Sequence, residues 1–220
     1  AVSRLDENTW EAELTDDWSI GGVANGGYSM ATAARALSES LDHKDPLSIT
    51  GHYLSRVEPG KALLEVEKLN IGKSVSTALL KFIQGGEERI RFTSCFTDFA
   101  KSKGDTLREV EAPDFPPIEE CIAMPYKEGF TPVLEKQIDR KFTPHSDWWD
   151  EDRPRARACL DAYYAWPGGE DIDLFSVIFF LDTMSPPIFN RLGSRGWVPS
   201  LELTVHLKQT PTPGPLRMRG

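Results

Sequence analysis

The sequence predicts an α+β fold in which one long helix is followed by a run of antiparallel strands. Three observations predict it. Met30, Ala33, Ala34, Leu37 and Leu41 recur at helical spacing over 27–42. Four segments between 47 and 99 alternate apolar with polar residues, separated by Pro59-Gly60, Gly72-Lys73 and Gly85-Gly86. A strand, helix and strand pattern returns in the last third of the chain. With 220 residues, 40% hydrophobic and 27% charged, the composition is that of an ordinary globular chain.

The elements follow in order. Residues 8–20, "NTWEAELTDDWSI", read as a first strand, with Trp10, Ala12 and Leu14 alternating with acidic residues. The stretch "GGVANGGYSMATAARAL" at 21–37 turns from that strand into the helix, whose alanines leave a sheet room to approach. Pro46 stops the helix, because it lacks an amide donor and its ring clashes with the preceding turn. Strands are expected at 47–55, from "KALLEVEKLNI", from "SVSTALLKFIQ" and from "RIRFTSCFTDF". Residues 1–100 then form a first module. Residues 101–147, rich in proline and charge, form a connecting segment. A second module spans 148–220, with a strand in "ARACLDAYYAW" (156–166) and a helix over 171–190, apolar nearly all round and therefore buried. Its last strand, "VPSLELTVHLKQ", sets Leu201, Leu203, Val205 and Leu207 on one face and Glu202, Thr204, His206 and Lys208 on the other. The chain stops at "GPLRMRG", which reads as the start of a strand, so the second module is expected to be incomplete and the chain a piece of a longer protein.

The two modules resemble each other. An offset of about 154 residues superimposes Thr50 on Thr204, His52 on His206 and Pro59-Gly60 on Pro213-Gly214, and brings the first helix pattern over 174–191. The agreement in strand and helix order favours duplication; the bland reading is two unrelated strands sharing a histidine and a turn. Pairing two such modules buries open sheet edges and makes a crevice suited to a ligand.

Charge and motifs exclude several functions. The net charge of −9 disfavours nucleic acid as a partner. No apolar run reaches the roughly 18–20 residues of a membrane span, and the longest, "LFSVIFFL", has eight. The N-terminus carries no basic region leading into an apolar stretch, so no signal peptide is seen. Cys95, Cys121 and Cys159 are odd in number and widely spaced, which points to a reducing, intracellular setting and no metal site. No Gly-Lys-Ser/Thr follows the glycine turn, so a phosphate loop is disfavoured, and no Gly-x-Ser-x-Gly elbow appears.

A helix wrapped by an antiparallel sheet, twice in one chain, is the double-hotdog architecture. The residues "NGGY", "ITGHYLSRVEPG", "GKSVSTALLKFIQGGEERIRFTSCF" and "PSLELTVHLKQ", in that order, resemble the acyl-CoA thioesterase II type of double-hotdog thioesterase. The resemblance covers most of 18–99 and 174–220 and leaves the middle uncovered. It implies hydrolysis of an acyl-CoA or other acyl thioester by carboxylate-activated water, with no cofactor, and assembly through hotdog sheets as a route to a homo-oligomer. The family's carboxylate matches Glu202, where Asp is more usual. Its threonine and glutamine partners would lie beyond residue 220.

Each candidate residue has two readings. The amides of Asn25, Gly26 and Gly27, with Tyr28 beside them, open a helix and could polarise a thioester carbonyl; alternatively the glycines serve a tight turn and close packing. Glu202 is a catalytic base or a solvated strand carboxylate. Asp182, inside an apolar helix, is a second catalytic acid or a turn residue near Pro186 and Pro187. His52 and His206 read as strand-face histidines. Arg56, Lys73, Lys208, Arg217 and Arg219 would meet coenzyme A phosphates or remain solvated. Two rivals stay open: a hotdog hydratase or dehydratase, for which "LDHKDP" at 41–46 holds an Asp and a His, and a non-catalytic protein that binds acyl thioesters.

Overall fold

The computed structural model describes residues 1–105, 107, 109–150, 157–194 and 196–220. Its strands and helices run β1 (Val2–Arg4), β2 (Thr9–Leu14), β3 (Ser19–Ile20), β4 (Val23–Ala24), α1 (Gly26–Ser40), β5 (Asp45–Tyr53), β6 (Gly60–Ile71), β7 (Ser76–Gln84), β8 (Glu87–Thr97), β9 (Ile122–Ala123), β10 (Asp139–Phe142), β11 (Asp161–Ala165), α2 (Leu174–Leu181), α3 (Ile188–Leu192), β12 (Glu202–His206) and β13 (Leu216–Arg219). The helix, the four strands after it and the turns between them fall where the α+β reading expects them, but α1 ends at Ser40 and Pro46, expected to stop it, lies within β5.

Two compact units form, and they cut across chain order. One gathers Ala1–Ser102, Asp173–Asp182 and Ser200–Pro211; the other gathers Lys103–Ile172, Thr183–Pro199 and Thr212–Gly220. In the first, seven strands form one sheet in the order β1-β2-β6-β7-β8-β5-β12. Strand alternation sends Leu64, Leu80, Phe82, Phe92 and Phe96 inward, where each is fully buried. Met30, Ala33, Ala34, Ala36 and Leu37 of α1 are fully buried in the same core. Three alanines in five positions keep that face of α1 flat, so the backbone lies close to the sheet. The β7–β8 hairpin turns on Gly85 (φ +62°) and Gly86 (φ +79°), the pair of positive φ angles that a two-residue turn matching strand twist requires.

The β5–β12 pairing bears directly on the repeat. The strands run antiparallel with Thr204 opposite Thr50, Glu202 opposite His52 and His206 opposite Ser48. Thr50 therefore faces its own mate at the 154-residue offset, as strands related by a two-fold axis must. The turn glycines also correspond: Gly60 has φ +127° and Gly214 φ +103°. In the first unit Ala62 of β6 opposes Ala12 of β2. In the second unit Leu216 of β13, at the same offset from Ala62, opposes Tyr164 of β11.

Four local expectations are corrected. The first strand ends at Leu14, and residues 16–18 form a 3-10 turn before the short β3. The helix expected over 171–190 is broken: α2 ends at Leu181, and a separate five-residue α3 starts after Pro187. Pro186 restricts the residue before it and supplies no amide donor, which keeps the two apart. The helices also depart from the offset, which carries Gly26 at the start of α1 onto Phe180 near the end of α2. The strand expected over 156–166 spans only Asp161–Ala165, and Ala156 lies outside the described residues.

The second unit holds the sheet β13-β11-β10-β9. Phe142, Leu160, Ala162 and Tyr164 are fully buried there. Buried Arg140 donates to Tyr164 Oη (2.9 Å) and to the Thr183 carbonyl (2.6 Å), and pairs with Glu135.

Candidate active site

The first unit collects a polar cluster where α1 begins. Asn25 caps the helix: its Oδ1 accepts from the Tyr28 amide at 3.0 Å, satisfying one of the donors a helix start leaves free. Its Nδ2 donates to the Asp182 carbonyl (3.0 Å) and to Asp182 Oδ2 (3.3 Å). Asp182 Oδ2 also accepts from the Gly27 amide at 2.9 Å, and Asp182 Oδ1 accepts from the Ser200 hydroxyl at 2.7 Å. Tyr53 closes the cluster by donating to the Gly26 carbonyl at 2.9 Å.

Sterics explain the glycine pair. A Cβ on Gly27 would stand 2.6 Å from the Phe179 carbonyl oxygen and 2.9 Å from Asp182 Cβ; one on Gly26 would stand 2.7 Å from Asp182 Oδ2. The end of α2 thus approaches the start of α1 too closely for any side chain. Burial pushes the Asp182 carboxyl above the ordinary carboxylate range, against the opposing pull of hydrogen bonds from Ser200, Gly27, Gly26 and Asn25. Burial, and then the charge of Asp182, pushes the Tyr53 phenol well above its usual value, so it stays a neutral donor. Tyr28 turns elsewhere: its ring lies 5.8 Å from that of Trp18.

Glu202 lies in a different setting. It begins β12 and is exposed, on the face opposite Leu203 and Val205, which pack into the core that holds α1. Alternation therefore directs Glu202 to the outer face of the sheet and Tyr53, on β5, to the inner face with Asn25, Gly26, Gly27 and Asp182. The structure brings the candidates together as two groups, not one. In the outer group Thr204 Oγ1 donates to Glu202 Oε1 at 2.5 Å, and Thr50 Oγ1 lies 2.9 Å from Thr204 Oγ1. His52 and His206 share that exposed face.

The two-group arrangement changes the reading of the helix opening. The Gly27 amide, expected to face a substrate carbonyl, is held by Asp182. Ser200 and Tyr53 escaped the sequence reading. Nothing local marks either as a partner of a carboxylate, and Asn25 and Asp182 themselves are 157 residues apart. His43 of the 41–46 segment is buried; its Nδ1 lies 2.7 Å from Ser76 Oγ and its Nε2 3.4 Å from the Lys73 carbonyl. A carbonyl only accepts, so a neutral ring in this geometry donates from Nε2 and accepts from Ser76 at Nδ1. Of the basic residues, Arg219 is paired with Asp161 at 2.6 Å. Among the described residues no helix is long and apolar enough to cross a membrane.

A helix held by an antiparallel sheet, with the strand pattern repeated at a fixed offset, defines a double-hotdog protein. The chain belongs to the acyl-CoA thioesterase family: residues 14–97 match the family's N-terminal domain and residues 118–220 its C-terminal domain. It is similar to a candidate thioesterase II of Thermobifida fusca YX, with a TM-score of 0.88 and 26% identity, covering 100% of this chain and 82% of that one. A hot dog fold protein of unknown function from Alicyclobacillus acidocaldarius superposes with a TM-score of 0.81 at 17% identity, covering 95% of this chain and 76% of that one, a likeness of fold. The thioesterase-like protein TwmA of Talaromyces wortmannii is 35% identical over 88 residues, 39% of this chain and 25% of that protein.

Proposed function

We propose that this chain hydrolyses an acyl-CoA thioester, with Glu202 as the base that activates water. Family membership across both halves supports the reaction class. The observation that carries the choice of residue is the Thr204 hydroxyl on Glu202 Oε1. It fixes one carboxylate oxygen and leaves an exposed side chain open to water. A general base must reach the proton it removes directly or through one water, and an exposed, oriented carboxylate meets that requirement. No metal or redox group is needed for this step: the water proton passes to Glu202 as its oxygen bonds to the acyl carbon, and the tetrahedral adduct then expels the thiolate.

Asn25, Gly26 and Gly27 lie on the inner face, away from Glu202, and their amides would polarise a thioester carbonyl only with the substrate on that face and Asp182 displaced from the Gly27 amide. A second reading makes Asp182 the base. It is favoured by the burial that raises its carboxyl, the usual way a carboxylate is tuned toward neutral pH. Turnover of a panel of acyl-CoAs, followed by release of free thiol, separates the readings. Glu202→Gln is expected to lower kcat by about a hundredfold or more while Asp182→Asn retains most of it. The reverse pattern would transfer the role to Asp182. Tight acyl-CoA binding without turnover would favour a non-catalytic binding protein.

A further inference from the structure

We infer that Thr50 and Thr204 form a directed hydroxyl relay that positions the Glu202 carboxylate. The inference rests on the thioesterase reading above and adds two positioning residues to it. Direction follows from counting protons. A threonine hydroxyl has one proton and two lone pairs, and a carboxylate acting as a base has no proton to give. The contact between Thr204 Oγ1 and Glu202 Oε1 therefore uses the Thr204 proton. The contact between Thr204 Oγ1 and Thr50 Oγ1 then requires Thr50 to donate. A hydroxyl that accepts a hydrogen bond becomes a better donor, so the bond from Thr50 strengthens the bond that Thr204 donates to Glu202.

The pseudo-symmetry of the strand pair shows why the relay runs one way. Thr50 and Thr204 sit opposite each other at the centre of the β5–β12 register. Two residues before Thr204 stands Glu202; two residues before Thr50 stands Ser48. The duplicated position carries Ser48 and no carboxylate, so no counterpart of Glu202 competes for the Thr50 proton. The charged or titratable neighbours on this face are His52, opposite Glu202, then Arg91, opposite His52 and held by Glu88, with His206 further along β12. None of them shares a bond of the relay.

Steady-state kinetics on the acyl-CoA panel test it with Thr50→Val, Thr50→Ser, Thr204→Val and the double valine variant. Valine keeps the shape and strand preference of threonine, so thermal melting should hold. Thr50→Val is expected to lower kcat by roughly three- to tenfold with KM unchanged, the size of one net hydrogen bond lost. Thr50→Ser should restore the wild-type rate. The double variant should be no slower than Thr204→Val, because the relay is already cut there. Wild-type kcat in Thr50→Val, or losses that multiply in the double variant, would overturn the relay and leave the thioesterase reading standing. No turnover by the wild type on any acyl-CoA would overturn both.

Discussion

Gly27 sits where the Phe179 carbonyl and the Asp182 side chain leave room for a hydrogen alone. Gly27→Ala is expected to cost about 1–3 kcal/mol of stability, because the nearest obstacle is backbone that cannot rotate away; chemical denaturation would measure it. Asp182 makes a separate prediction through its raised carboxyl pKa. The folded state holds that proton more tightly than the unfolded chain does. The stabilisation is full below the ordinary aspartate pKa and is lost as pH rises through the raised folded value. Wild-type stability should therefore decline over that rise, and Asp182→Asn should flatten the decline. A pH series of thermal melts reads the difference, and identical slopes would remove Asp182 as its source.

The entry to α1 depends on Asn25 using both ends of its amide, Oδ1 on the Tyr28 amide and Nδ2 on Asp182. Asn25→Asp keeps the cap acceptor but loses the donor and sets a second carboxylate against Asp182. It should destabilise the fold near neutral pH by more than the roughly 1 kcal/mol of an ordinary cap change, with partial recovery on acidification; denaturant midpoints at two pH values test this. The cap was legible in the sequence, since an asparagine before two glycines and an apolar helical pattern is a strong start signal. The end of α2 was not. Its run "LFSVIFFL" has no period to mark a boundary, and Asp182 leaves the helix for partners that come from distant parts of the chain.

Across the first unit, β12 completes the seven-stranded sheet by pairing with β5. Val205 lies opposite Ile49 in that seam and is 2% exposed. Val205→Asp would place an unpaired carboxylate in the core, undock β12 and uncover the β5 edge. An open edge is a template for pairing with another chain, so concentration-dependent self-association by light scattering is the expected result. Unchanged scattering with intact stability would contradict the seam's importance.

Patterns carried within a few residues were enough to foresee the class of fold. The 3.6-residue spacing in α1, the alternation in β5 to β8 and their glycine turns are local properties of the backbone. The strand offset between Thr50 and Thr204 was legible too, because it is a match of residues along the chain. Where each polar residue sits was decided by packing. Glu202 and Asp182 looked alike as carboxylates among apolar residues. Strand alternation turned one to water, and a helix end without side chains drew the other into a buried knot. Burial and partners in space decide such assignments, and no spacing along the chain records them.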